Sequence, residues 1–112
     1  MSLDHTLAAL ADPTRRAILQ RLSRGEARVT DVAARFPISL NSVSKHIRVL
    51  ERAGLVHRRV AGREHLLTLD QRPLDEVAAW VEQTRAFWSK RLDALEALLV
   101  AEDDDHDPKE QP

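Results

Sequence analysis

The sequence predicts a mainly α-helical fold with one small β-hairpin and a long C-terminal helix. Three observations carry this expectation. Apolar residues recur at helical spacing before Gly54, in segments bounded by capping residues. After Gly54 the pattern becomes strand-like around a short Gly-containing break. From about Pro73 to Val100 one stripe (Leu74, Val77, Val81, Trp88, Leu92, Leu95 and Leu99) repeats in steps of three, four or seven, with Phe87 and Leu98 widening it.

The first helix is expected over 3–10, with Leu3, Leu7 and Leu10 on one side. Asp12-Pro13 restarts the chain, because Asp caps helices and Pro suits their first position. The second helix follows over about 13–24, with Ile18, Leu19 and Leu22 inward and Gly25 just past its end. Thr30 is expected to cap a short third helix over about 31–36, with Val32, Ala33 and Phe36 inward. Phe36-Pro37 forces a tight connection, since the residue before proline avoids the α region. Ser39 then caps a fourth helix over about 40–53 that stops at Gly54. Residues 55–60 and 63–69 read as strands flanking a turn at Ala61-Gly62. The order of elements is that of a winged helix-turn-helix.

At 112 residues the chain reads as one domain over 1–101, followed by an acidic segment over 102–112 that is expected to be disordered. Its acidic run is expected to be a solvated tail rather than a cation site. With no cysteine, disulfides and thiolate metal ligands are excluded. The N-terminus lacks signal-peptide character, and no apolar run approaches the ~20 residues needed to span a bilayer, so no membrane partner and a cytoplasmic location are expected. The net charge of -1 hides a segregation. Residues 13–73 hold 13 Lys and Arg against 5 Asp and Glu, a balance of +8. Residues 74–112 hold 4 against 11, a balance of -7. A basic middle is the footprint expected for a polyanion partner, or else a plain solvated Arg-rich surface.

The fourth helix sharpens that choice. At 100° per residue, Val43, Ile47 and Leu50 fall on one face and Asn41, Ser42, Lys45, Arg48 and Arg52 on the other, with Ser44 and His46 on the flanks. No carboxylate appears before Glu51, so the positive end of the helix would meet a phosphate without repulsion. Asn can bridge the edge of adenine, Lys can donate to guanine, and Ser can do either or hold a phosphate. Ser39 is a cap first. His46 suits either a half-buried hydrogen-bonding role or a phosphate contact. Beside this helix the hairpin carries His57, Arg58, Arg59, Arg63 and His65 near Gly62. Such a ribbon reaches along a DNA backbone or into a minor groove, and its charge equally protects an edge strand from association.

Three blocks, LADPTRRAIL (10–19), SLNSVSKHIRVL (39–50) and ERAGLV (51–56), resemble the ArsR/SmtB family of bacterial transcriptional repressors, over about residues 5–100. The resemblance implies a homodimeric winged helix that binds double-stranded operator DNA and releases it to an effector, which the residues do not name. It puts DNA reading on Asn41, Ser42, Ser44, Lys45 and His46 and the wing at Arg58 to His65; the cap and the outward face add Ser39 and Arg48 as expected DNA contacts, and the basic hairpin adds Arg58, Arg59, Gly62 and Arg63. Metal-sensing members use paired cysteines near the third helix, or His and carboxylates on the last. Here Thr30 to Phe36 has neither Cys nor His, and 74–101 has no His, so both kinds of site lack their ligands, and the stretch FWSKRL (87–92) resembles a subgroup without metal sensing. No metal and no cofactor are expected.

A helix of roughly 40 Å, from its rise per residue, outreaches what a small basic domain can cover. A C2 homodimer through Leu3, Leu7, Leu10, Val81, Trp88, Leu92, Leu95 and Leu99 is therefore expected. The alternative function is a winged helix that docks an acidic protein without touching DNA. No nucleophile–base pair, phosphate loop or catalytic constellation is present, so an enzyme is not expected.

Overall fold

A computed structural model describes residues 2–110, with side chains described as far as Asp103. The elements are α1 (Leu3–Leu10), α2 (Pro13–Leu22), β1 (Ala27–Arg28), α3 (Val29–Ala33), α4 (Leu40–Arg52), β2 (Val56–Ala61), β3 (Glu64–Leu69) and α5 (Arg72–Glu110). This is a winged helix-turn-helix with a long C-terminal helix, as the sequence predicts. The chain divides into two compact units, one ending at Val77 and the other beginning at Ala78.

The first unit is held by an aliphatic core. Ile18 and Leu22 of α2, Val32 of α3, and Val43, Ile47 and Leu50 of α4 are buried together with Leu55, Val56 and Leu67. The inward faces of α2, α3 and α4 are therefore the predicted ones. On α1 the fully buried residues are Thr6 and Ala9, while Leu3, Leu7 and Leu10 remain half-buried.

Local chemistry sets the helix ends. Asp12 accepts the Arg15 backbone N–H at 3.0 Å, with Pro13 opening α2. Ser39 accepts the Ser42 N–H at 3.1 Å, as predicted for α4. At the other end of α4, Gly54 N–H donates to the Glu51 carbonyl and Leu55 N–H to that of Leu50, both at 3.0 Å. With Gly54 at φ 74°, these two bonds make a Schellman stop, which a side chain at Gly54 would strain.

Three details differ from the sequence expectation. The third helix starts at Val29, so Thr30 lies inside it; Arg28 occupies the cap position and makes no side-chain cap bond. The cause is β1, whose pairing of Ala27 with Leu67 and Arg28 with Leu66 fixes the backbone just before the helix. A two-residue strand carries no periodicity and was not predicted. The hairpin turn is Gly62-Arg63 rather than Ala61-Gly62, because Ala61 still pairs with Glu64. Gly62 takes φ 64° and Arg63 does not have positive φ, the sign pattern of a II′ turn. The three strands form an antiparallel sheet in the order β1-β3-β2.

In the second unit the stripe on α5 is open to solvent: Trp80, Val81, Phe87, Trp88, Leu92, Leu95 and Leu99 are all exposed. Phe87 and Trp88 meet edge to face at 5.9 Å, and the Arg91 guanidinium lies 5.3 Å from the Phe87 ring centre. The helix continues past the predicted end at Val100. The expected disordered tail over 102–112 falls mostly on 104–112, outside the residues whose side chains are described. Among the described residues no helix is long and apolar enough to cross a membrane.

Candidate nucleic-acid interface

The outward face of α4 is built by its inward one. Burial of Val43, Ile47 and Leu50 leaves Asn41, Lys45, Arg48 and Arg52 exposed on the opposite side. Lys45, Arg48 and Arg52 form no ion pair among the described residues. Ser42 is half-buried within the cap, where its backbone N–H and its hydroxyl both meet the Ser39 hydroxyl. Ser44 is half-buried and turned to the hairpin. It lines a cleft of about 220 Å³ with Thr30, Leu40, Arg58, Arg63 and His65. Leu40 is exposed there, at the edge of the apolar face.

His46 is half-buried against α2, its Nδ1 lying 3.4 Å from Arg15 Nη1 and 3.7 Å from Asp12 Oδ2. The half-buried bonding role thus has partners. Arg15 also donates to the Ala9 carbonyl at 2.7 Å and the Ala8 carbonyl at 3.1 Å, and Arg16 to that of Leu10 at 2.9 Å. The two arginines of LADPTRRAIL thus satisfy the open carbonyls at the end of α1. The Arg15 N–H donated to Asp12 holds that carboxyl below its ordinary range, aided by the nearby His46 and Arg15 side chains against partial desolvation.

The hairpin charges are mostly partnered. Arg58 pairs with Glu51 of α4 at 2.8 Å. Arg59 pairs with Glu26 at 2.9 Å. Glu64 accepts from Arg28 at 2.9 Å, and Arg28 also bonds Asp31 at 3.1 Å. The Glu64 bond, then the Asp31 charge, raise the Arg28 pKa. Arg63, beside Gly62 at the tip, has no ion pair among the described residues. The structure thus separates the predicted wing set into a partnered base, Arg58 and Arg59, and an open tip, Gly62 and Arg63.

A second carboxylate was not predicted. Asp70, just past β3, is 9% exposed and gathers the His57 ring N–H at 2.7 Å, the Arg72 guanidinium at 2.7 Å and the Arg72 backbone N–H at 3.0 Å. It joins β2 to the start of α5. Arg72 first, then His57, hold it far below the usual carboxylate range. The Asp-x-Arg-Pro spacing of 70–73 could have signalled the turn, but not His57.

A helix-turn-helix domain family matches residues 10–59, which contain α2 to α4 and the start of the hairpin. The HTH-type transcriptional regulator Rv2034 of Mycobacterium tuberculosis is 39% identical over 104 residues, covering 93% of this chain and 94% of that protein. The transcriptional repressor SdpR of Bacillus subtilis is 30% identical over 79 residues, covering 70% of this chain and 88% of that protein. A crystal structure of an ArsR family transcriptional regulator superposes with a TM-score of 0.75 at 40% identity, covering 78% of this chain and 96% of that one. The chain belongs to the ArsR family of helix-turn-helix regulators, DNA-binding proteins rather than enzymes.

Proposed function

We propose that the protein is a homodimeric repressor of the cytoplasm that reads a palindromic operator, with α4 in the major groove and the hairpin tip on the adjacent backbone or minor groove. The observation that carries this reading is the outward face of α4. Asn41, Lys45 and Arg48 are exposed, no carboxylate precedes Glu51, and neither cation is spent on an internal pair among the described residues. A face that docked an acidic protein would need cations, but it has no use for an amide at the first turn. Asn41 has the donor and acceptor that match adenine.

Ser39, Ser42 and Ser44 hold or approach phosphates at the cap and beside the cleft. His46 acts by fixing α4 against α2. Arg63 supplies the wing contact, with Gly62 shaping the turn that presents it. Repression, the activity named for SdpR, requires only that the occupied site exclude polymerase. A dyad relating two α4 helices matches half-sites about 34 Å apart.

The test is a gel shift with the DNA upstream of its own gene and with a random duplex pool, at two salt concentrations. Steep salt dependence with enrichment of one sequence is expected. Lys45→Ala should weaken the enriched site by about 1–3 kcal/mol and relax its sequence preference. Binding to no duplex would leave the acidic-protein reading. Unchanged affinity in Lys45→Ala would remove Lys45 from the interface.

A further inference from the structure

We propose that Arg58 does not contact DNA but is a positioning residue. Its fork onto Glu51 locks the hairpin to α4, so that the recognition face and the tip Arg63 meet the duplex as one surface. The proposal rests on the reading of α4 and the hairpin as the DNA-facing elements.

Strand alternation supplies the first reason. Along β2, Val56 is buried, so Arg58, two residues on, shares its side of the sheet, while His57 and Arg59 take the other side. Opposite them, Leu69, Leu67 and His65 of β3 lie on the same side as Val56, Arg58 and Val60. Arg58 therefore stands on the face of the sheet that Val56 occupies and reaches Glu51 of α4, while its residue as a whole stays exposed.

The second reason is that its fork already faces a carboxylate. Nη2 donates to Glu51 Oε1 at 2.8 Å and Nε to Oε2 at 3.3 Å, a two-point fork. Nη1 lies 3.1 Å from His65 Nδ1 across the hairpin. A guanidinium has no lone pair to offer, so Nδ1 is the acceptor and the ring proton sits on Nε2. Three of its five N–H donors, at least one on each nitrogen, are thus used, and a phosphate taking both ends of the fork that faces Glu51 would have to displace that carboxylate. Arg63 faces no such competition among the described residues.

Solvent access gives the third reason. The Arg58 and Glu51 side chains are 27% and 29% exposed, against 61% and 36% for the Arg59–Glu26 pair. The less exposed pair is screened less by water and salt, so it is the one able to hold an angle between two elements. Glu51 is also the only carboxylate of α4. On a helix otherwise kept free of negative charge, a retained Glu has a use if it anchors the wing.

The two roles predict opposite signs for one variant. Glu51→Gln keeps the size of the side chain and removes an anion from the vicinity of DNA. If Arg58 touches phosphate, freeing it strengthens binding or leaves it unchanged. If Arg58 positions the wing, binding weakens, on the order of fivefold from loss of a pair this exposed. The experiment measures affinity of the full chain for the duplex it enriches from a random pool, across a salt series, with thermal melts to verify folding. The expected result is weaker binding for Glu51→Gln and for Arg58→Lys, which keeps the charge without the fork, both with the wild-type slope of log affinity on log salt. Arg63→Ala should instead make that slope shallower by about 0.9. Tighter or unchanged binding by Glu51→Gln, or a shallower slope for Arg58→Lys, overturns the proposal alone. Failure of the wild type to enrich any duplex overturns the DNA reading, and this proposal with it.

Discussion

Asp70 is where single-residue chemistry bears most directly on stability. Its carboxylate collects donors from β2 and from the first turn of α5, and among the described residues no other side-chain hydrogen bond ties those two elements. Because Arg72 and His57 favour the ionised form, the folded-state pKa lies below the ordinary value of 3.8. For a depressed carboxylate the contribution is fully present above the unfolded value and is lost as pH falls toward the folded one. Asp70→Asn should therefore lower the melting temperature at pH 7. The gap from wild type should narrow as pH drops below about 4, where the carboxyl of the unfolded chain takes up a proton while the folded one stays ionised. Melts from pH 7 down to 2.5 check this; a gap that stayed constant across the range would show that the charge on Asp70 is not what the fold uses. None of this was legible in the sequence, because His57 comes to Asp70 only through the hairpin register. The same holds for His46, whose neighbours Asp12 and Arg15 lie a whole helix away in sequence. Residue types announce what chemistry is available, whereas partners across elements follow from packing.

At the scale of an element, α4 was legible almost entirely. A capping serine, a helical apolar period and a glycine stop are all local signals, and Ser39, the Val43–Ile47–Leu50 face and Gly54 occupy the expected places. The misread features, the start of α3 and the hairpin turn, depend on pairing with β3, which local sequence does not encode. Since Ser39 caps α4 and also bonds Ser42, Ser39→Ala should cost about 1 kcal/mol of stability. Urea denaturation is the measurement, with a lowered midpoint at unchanged m-value expected. No loss of stability would mean that water satisfies the Ser42 N–H as well as the hydroxyl does. The candidate interface was legible as a face and less so as a list. The α4 cations are open as expected, but the predicted hairpin arginines divide once Glu51 and Glu26 are seen beside them.

For the whole molecule, charge and apolar surface are distributed in a way that one copy does not use. The core of the first unit is aliphatic, while three of the four aromatic residues, Trp80, Phe87 and Trp88, stand exposed on α5. Large aromatics are enriched where protein surfaces meet and are costly to leave in water. Around them Leu92, Leu95 and Leu99 continue the same stripe, with Leu92 60% exposed. A second copy offers an identical stripe and, through a two-fold axis, self-complementary contacts; it would also place two α4 helices for a palindrome. Leu3, Leu7 and Leu10, half-buried on α1, are the expected partners in that interface. Leu92→Glu discriminates well because the side chain is exposed in a single copy. There the charge would be solvated and α1–α4 would keep their fold, whereas in a dimer seam it would be buried without a partner, at a cost of several kcal/mol. Light scattering should give the mass of a dimer for the wild type and of a monomer for Leu92→Glu, with helical circular dichroism retained. Operator affinity should fall with it, since one half-site contact no longer recruits the other. A variant that remained dimeric would place the seam elsewhere on the chain, and a wild type that was already monomeric would leave the stripe for a partner other than itself.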